Sequence, residues 1–166
     1  MELQVRNARI TDVDGITTLL DRAHHLAAGS DGAPDADLLR QLIYLPNATV
    51  VVALDGRRVV GIGVLALRPS VVRGGLIGTV DLLSVDSNTS SEHVAGSLLA
   101  EVLRSARNKG CVAVEAEPGG RDTPRWMGWG FREGERRLEL DIAAGGLHST
   151  PRAREEAQPE PNRSHS

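Results

Sequence analysis

The chain has 166 residues, 40 % hydrophobic and 25 % charged, which suits one globular domain with a real core. A net charge of −3 argues against a basic nucleic-acid surface, and the lone Cys111 excludes an internal disulfide framework or a cysteine zinc cage. Aromatics make up only 2 % of the residues, so the core must be built from Val, Leu, Ile and Ala.

Residues 5–9 are short and alternating, and read as a first strand. Thr11 offers an N-cap, with Asp14 three residues on as a weak capping box. Val13, Ile16, Leu19, Leu20, Ala23 and Leu26 follow at helical spacing, which predicts a helix to about Ala27. A glycine-bounded loop over 29–32 comes next. Pro34 suits a helix start, Leu38, Leu39, Leu42 and Ile43 give the second helix, and Pro46 ends it. Residues 49–54 and 59–67 read as strands joined by a hairpin at Asp55-Gly56. A further strand over 76–85 is entered through Gly74-Gly75.

The polar stretch 86–91 opens a long helix. Its apolar stripe is Val94, Leu98, Leu99, Val102, Leu103 and Ala106, and Asn108-Lys109-Gly110 stops it. Residues 111–116 form a buried-type strand, 121–128 a short helix, and 131–142 the final strand or strand pair, with a turn at Glu133-Gly134. The order β-α-α-β-β-β-α-β-α-β is mixed α+β, a central twisted sheet with helices on its faces.

The last residues differ in kind. Between 143 and 166 the only large aliphatic residue is Leu147, among Pro, Arg, Glu, Ser and His. Such a segment cannot offset its ordering entropy by burial. Residues 1–142 are therefore expected to be the folded unit and 143–166 a disordered tail. Truncation after Ile142 should lower the melting temperature by less than about 5 °C, on the order of 1 kcal/mol for a domain this size. A larger drop in scanning calorimetry would show that the tail packs.

No apolar run approaches the roughly 20 residues that span a bilayer. Residues 1–10 lack the apolar stretch of a secretory signal. The expectation is a cytoplasmic protein with no membrane and no nucleic-acid partner.

The order and three local patterns resemble the GNAT acyltransferase superfamily. The first is Asp81-Leu82-Leu83-Ser84-Val85-Asp86 followed by a loop and Leu98-Leu99, similar to the family's strand end, phosphate loop and helix. The second is the helix closing on Asn108-Lys109-Gly110 before Cys111-Val112-Ala113-Val114. The third is Arg125-Trp126-Met127-Gly128-Trp129-Gly130-Phe131, similar to the family's aromatic-Tyr-x-x-x-Gly-Phe segment. The resemblance implies direct transfer of an acetyl or other acyl group from acyl-CoA to an amine. It also implies that acetyl-CoA lies against Leu83 and Val85 and at Ser90, Ser91, Glu92, His93, Val94, Ala95 and Gly96. A small-molecule or protein amine is the acceptor, and a homodimer is an admissible assembly.

The family's loop reads Arg/Gln-x-x-Gly-x-Gly/Ala. Here Ser90 replaces the Arg/Gln, His93 replaces the first glycine, and only Ala95 agrees, with Gly96 just beyond. A helix N-terminus still presents free N–H groups to a phosphate. Ser90 or Ser91 can cap the helix or donate to the anion, and a protonated His93 would add charge. Glu92 opposes an anion, or else points into solvent and steadies the empty helix end. An alternative reading follows: a GNAT-fold module that has lost catalysis and serves binding or regulation.

Asp81 matches the family's base. On an apolar strand between Val80 and Leu82 it could take up a proton, or it is a solvent-facing carboxylate. Trp126 stands where the family has its acidic Tyr, and an indole N–H is no proton source for a thiolate. Trp126, Trp129 and Phe131 form either a local hydrophobic cluster or a wall beside the acyl group. Tyr44 packs in the core or lines the acceptor pocket. His24 and His25 cap the first helix or line that pocket, with Asp31, Asp35 and Asp37 as an amine-attracting mouth. Cys111 reads as core. Two histidines without a carboxylate at ligand spacing make no metal site.

Overall fold

Residues Val50, Val51, Val52, Ala53 and Leu54 are all buried, so the strand that carries them, β2 (Ala48–Asp55), must be covered on both faces. In the computed structural model, which describes residues 2–26 and 35–134, helices cover both. The other strands are β1 (Leu3–Asn7), β3 (Arg58–Ser70), β4 (Gly75–Val85) and β5 (Cys111–Ala116), in the order β1-β2-β3-β4-β5. β1 to β4 pair antiparallel, and β4 pairs β5 in parallel. A parallel pair needs a crossover, which α3 (Ser91–Asn108) supplies.

On one face α1 (Val13–Leu26) and α2 (Ala36–Tyr44) pack against Val50, Val52, Leu54, Ile62 and Val64. On the other, α3 and α4 (Thr123–Gly128) cover Val51, Ala53, Val60, Leu65 and Val80. This is the expected α+β order as far as α4. Gly56 takes the left-handed conformation, φ 61°, that its hairpin needs. The loop over 29–32, the strand expected after Gly134 and the tail over 143–166 lie outside the described residues. Among the described residues no helix is long and apolar enough to cross a membrane.

The entry to α1 departs from expectation. β1 spans Leu3–Asn7, with Asn7 opposite Val51 and the Ala8 N–H donating to the Val50 carbonyl at 2.8 Å. A 3-10 turn over Ile10–Asp12 then leads into the helix, and Asp12, not Thr11, is the anchor. Its Oδ2 accepts from the Arg9 N–H at 2.7 Å, and Arg6 grips the carboxylate with two donors at 2.7 and 3.0 Å. The Asp14 carbonyl accepts from the Thr17 and Thr18 hydroxyls instead of the side chain closing a capping box. A buried carboxylate with a two-pronged guanidinium outcompetes a lone hydroxyl cap.

The Arg6 hydrogen bonds hold the Asp12 carboxyl below the usual carboxylate range. A lowered pKa adds stability that is complete above the unfolded value, about 3.9, and is lost as pH falls through the folded value. Asp12→Asn should therefore cost about 1.5–3 kcal/mol at pH 7. The gap to wild type should close in acid. Urea unfolding at pH 7 and pH 3 checks this, and an equal gap at both would contradict it.

α2 begins at Ala36, two residues past the Pro34 expected to start it. Asp35 caps it, accepting from the Asp37 and Leu38 N–H groups at 2.9 and 3.0 Å. Pro34 lies outside the described residues.

α3 lies close against β3 because two glycines leave room. A Cβ at Gly61 would stand 2.7 Å from Leu98 Cδ1 and 3.1 Å from Val94 Cγ1, and one at Gly63 3.0 Å from Val102 Cγ2. These contacts fix where the N-terminus of α3 emerges, beside the end of β4.

Candidate active site

The parallel pairing of β4 with β5 stops at Val80↔Ala116. β4 nonetheless continues to Val85, still paired with β3 through Leu82↔Val64, Leu83↔Gly63, Ser84↔Ile62 and Val85↔Gly61. Among the described residues, the other edge of β4 beyond Val80 has no strand partner. An unpaired edge offers N–H and C=O groups to an extended ligand that carries amides. The parting lies at the carboxyl ends of two parallel strands, where open α/β sheets bind ligands.

Asp81 stands where the strands part. The β3 register jumps from Leu65↔Val80 to Val64↔Leu82, so Asp81 is a bulge residue without a partner on β3. The bulge also resets the alternation. Val80 and Leu83 both pack on the α3 side, while Leu82 packs on the α1 side. Asp81 is exposed, the solvent-facing carboxylate of the two alternatives and not one sunk between its apolar neighbours.

The first turn of α3 is open. Ser90 is the N-cap, but its hydroxyl makes no capping bond; its carbonyl accepts from the Val94 N–H at 3.1 Å. The preceding turn is locked by Asp86, which sequence reasoning passed over although it ends the Val85-Asp86 motif. Asp86 is 5 % exposed. Its Oδ1 accepts from the Asn88 N–H at 3.0 Å, and its carbonyl from the Thr89 hydroxyl at 2.8 Å. A short, uncapped helix entry of this kind presents main-chain N–H groups to an anion.

Glu92 in that turn is answered from α4. Its Oε1 accepts from Arg125 Nη1 at 3.2 Å. The Arg125 guanidinium lies 5.1 Å from the centroid of the Trp129 ring, and its Nε is buried without a hydrogen-bond partner. A cation is therefore held at the mouth of the parting by a residue 33 positions away in the chain.

No protein-family profile matches the chain. It is similar to a glucosamine 6-phosphate N-acetyltransferase of Trypanosoma brucei brucei, 29 % identical over 86 residues, 51 % of this chain and 58 % of that protein. The chain thus spans little more than half the length of the curated relative it matches. A crystal structure of a Trypanosoma brucei acetyltransferase superposes with a TM-score of 0.70 at 22 % identity, over 85 % of this chain and 100 % of that one. A predicted acetyltransferase of Clostridium acetobutylicum, solved with acetyl-CoA, gives 0.69 at 13 % identity, over 84 % and 96 %. The chain has the fold of the GNAT acetyltransferases.

Within this GNAT fold the expected cofactor residues fall into two groups. Leu83 and Val85 lie on the unpaired stretch of β4, and Ser90, Ser91, Glu92 and His93 line the open first turn. Val94 and Ala95 lie on the buried face of α3, and the Val94 N–H already donates to the Ser90 carbonyl, so the free main-chain donors are those of residues 91–93. A Cβ at Gly96 would meet nothing within 4 Å, so close packing does not require a glycine there.

The expected acceptor residues are not gathered in one place. Trp126 is buried on the α3 side, edge-on to Trp129 at 5.4 Å and to Phe131 at 5.0 Å. This is the local hydrophobic cluster. Tyr44 ends α2, which covers the opposite face, and is 75 % exposed, so it is no core residue. One residue past Ile43, it has turned off the buried stripe. His24 and His25 fall in the last turn of α1, and their side chains lie outside the described residues. Burial pushes the Cys111 thiol up, away from a reactive thiolate. Among the described residues no three metal-ligating side chains come together.

Proposed function

We propose that the chain transfers an acetyl group from acetyl-CoA directly to an amine. The observation that carries this reading is the parting of β4 from β5, with Asp81 at its start and the uncapped α3 at its mouth. The pantetheine amides pair along the free edge of β4. The diphosphate meets the first-turn N–H groups of α3. Asp81, directly or through water, takes the proton of the amine. The amine nitrogen attacks the thioester carbon, and main-chain N–H groups of the β4 edge receive the developing oxyanion. The C–S bond then breaks, and the thiolate leaves with a proton from solvent or from the amine.

The acceptor named for the Trypanosoma relative, glucosamine 6-phosphate, supports an amino-sugar phosphate as the first to test. Release of free CoA thiol from acetyl-CoA in the presence of a panel of amines is the assay. Thiol release that depends on amine supports transfer. Binding of acetyl-CoA without release under any amine supports the second reading, a binding module. That reading is favoured by two features, Glu92 at the anion end and buried Trp126 at the acid position.

Charge at the helix entry is directly testable. A charge near a helix end is worth about 0.3–1 kcal/mol. Glu92→Gln should therefore tighten acetyl-CoA binding about two- to fivefold, and His93→Gly should not abolish it. Weaker binding by Glu92→Gln would mean that the pair with Arg125 organises the site instead of opposing the anion.

A further inference from the structure

A cavity of about 260 Å³ lies between the first half of α1 and the β2–β3 hairpin. Neither Asp81 nor the first turn of α3 lines it. α1 contributes Asp14, Thr18 and Arg22, and the hairpin contributes Arg57 and Arg58. Gly15 lets the helix come this close, because a Cβ there would stand 2.7 Å from Val59 Cγ2.

Three guanidinium groups share this space with one lining carboxylate. Like charges gathered this way raise one another's energy unless an anion joins them. Asp86 supplies part of the answer, with Oδ2 3.8 Å from Arg22 Nη1 and 3.6 Å from Arg58 Nη1. Those distances are too long for hydrogen bonds. Asp86 Oδ2 is buried and has no hydrogen-bond partner. Arg57 makes no ion pair or hydrogen bond among the described residues. Asp86 pairs with Arg22 and Arg58 without accepting a hydrogen bond from either, and Arg57 stands beside them, so the cavity is lined by three planar forks of the kind that binds phosphate oxygens.

We infer that this cavity is a phosphate-ester site, with Arg22, Arg57 and Arg58 as its ligands. The inference rests on the acyl-transfer reading and adds the substrate chemistry to it. Either a phosphorylated amine acceptor or the 3′-phosphate of the acyl-CoA supplies the group. Asp86 ties the site to the chemistry, because the same carboxylate locks the turn that leads into α3.

Calorimetry on the full chain compares glucosamine 6-phosphate with glucosamine, and CoA with 3′-dephospho-CoA. In one pair the phosphorylated member should bind about tenfold tighter, the worth of one charge-assisted hydrogen bond. That pair identifies the source of the phosphate. Arg57→Gln with Arg58→Gln should erase the preference. Arg57→Gln alone, which leaves Asp86 its neighbours, should at least halve it. A preference below about threefold in both pairs overturns the inference, since three guanidiniums must exceed that. So does a preference that Arg57→Gln leaves unchanged. Failure of the acyl-transfer reading looks different: acetyl-CoA then binds neither wild type nor variant, and the inference falls with it.

Discussion

If the chain transfers acetyl groups as proposed, Asp81→Asn should lower kcat/KM for amine acetylation by about 10²-fold, the low end of general-base catalysis. At neutral pH an amine acceptor is mostly ammonium and must lose a proton before its nitrogen can attack. Among the residues matching the family's pattern, Asp81 is the carboxylate that the strand frame brings to the parting, displaced out of the ladder by its bulge. Asparagine keeps the shape and removes the base. The loss shrinks as pH rises, because more of the amine is already free. Trp126→Phe should lower the rate far less. Trp126 is buried between Trp129 and Phe131 and holds no proton that a thiolate can take. A CoA thiol is only moderately basic, so solvent can protonate it. Rates across pH for both variants decide the matter. If Asp81→Asn is silent at every pH while Trp126→Phe is crippling, the roles are misassigned.

Leu98→Ala should cost about 2–5 kcal/mol, the range for emptying a fully buried leucine site. Leu98 is inaccessible to solvent and fills the space over Gly61. The gap cannot collapse easily, since Val94 and Val102 on either side already touch the glycine-lined strand. For a domain of this size the melting temperature should fall by roughly 5–20 °C. Gly61→Val attacks the same contact from below and should cost about 1–3 kcal/mol through overpacking. Both changes shift the start of α3, so both should also weaken acetyl-CoA binding. A loss under about 1 kcal/mol for Leu98→Ala would mean that α3 is not seated on β3 as described.

The element order was legible because it depends on short-range signals. The stripe from Val94 to Ala106, the Asp55-Gly56 turn and the stop at Lys109-Gly110 all act within one or two turns of the chain. The parts that sequence reading missed depend on partners brought together by folding. Arg6 and Arg9 choose Asp12 over Thr11 once β1 has paired with β2. The bulge at Asp81 exists only in the register between β3 and β4. Arg125 reaches Glu92 from a separate helix, and Arg22 and Arg58 reach Asp86 from two different elements. Tyr44 was misplaced for a local reason. At the end of a short helix, one residue decides whether a side chain faces the sheet or the solvent.

The strand and helix that carry the candidate site were therefore readable, and the charge pairs around them were not. Asp81, Leu83, Val85 and the α3 entry lie in one contiguous stretch, so a linear motif can point to them. The free edge of β4 is a property of where β5 ends, and no motif encodes that.

Titration of acetyl-CoA into the full chain, followed by calorimetry, tests the central claim most directly. The parting of β4 and β5, the open first turn of α3 and the Arg125 guanidinium beside it predict one saturable site per chain, tightened by Glu92→Gln. No saturable heat at millimolar acetyl-CoA, in wild type and in Glu92→Gln alike, would contradict it.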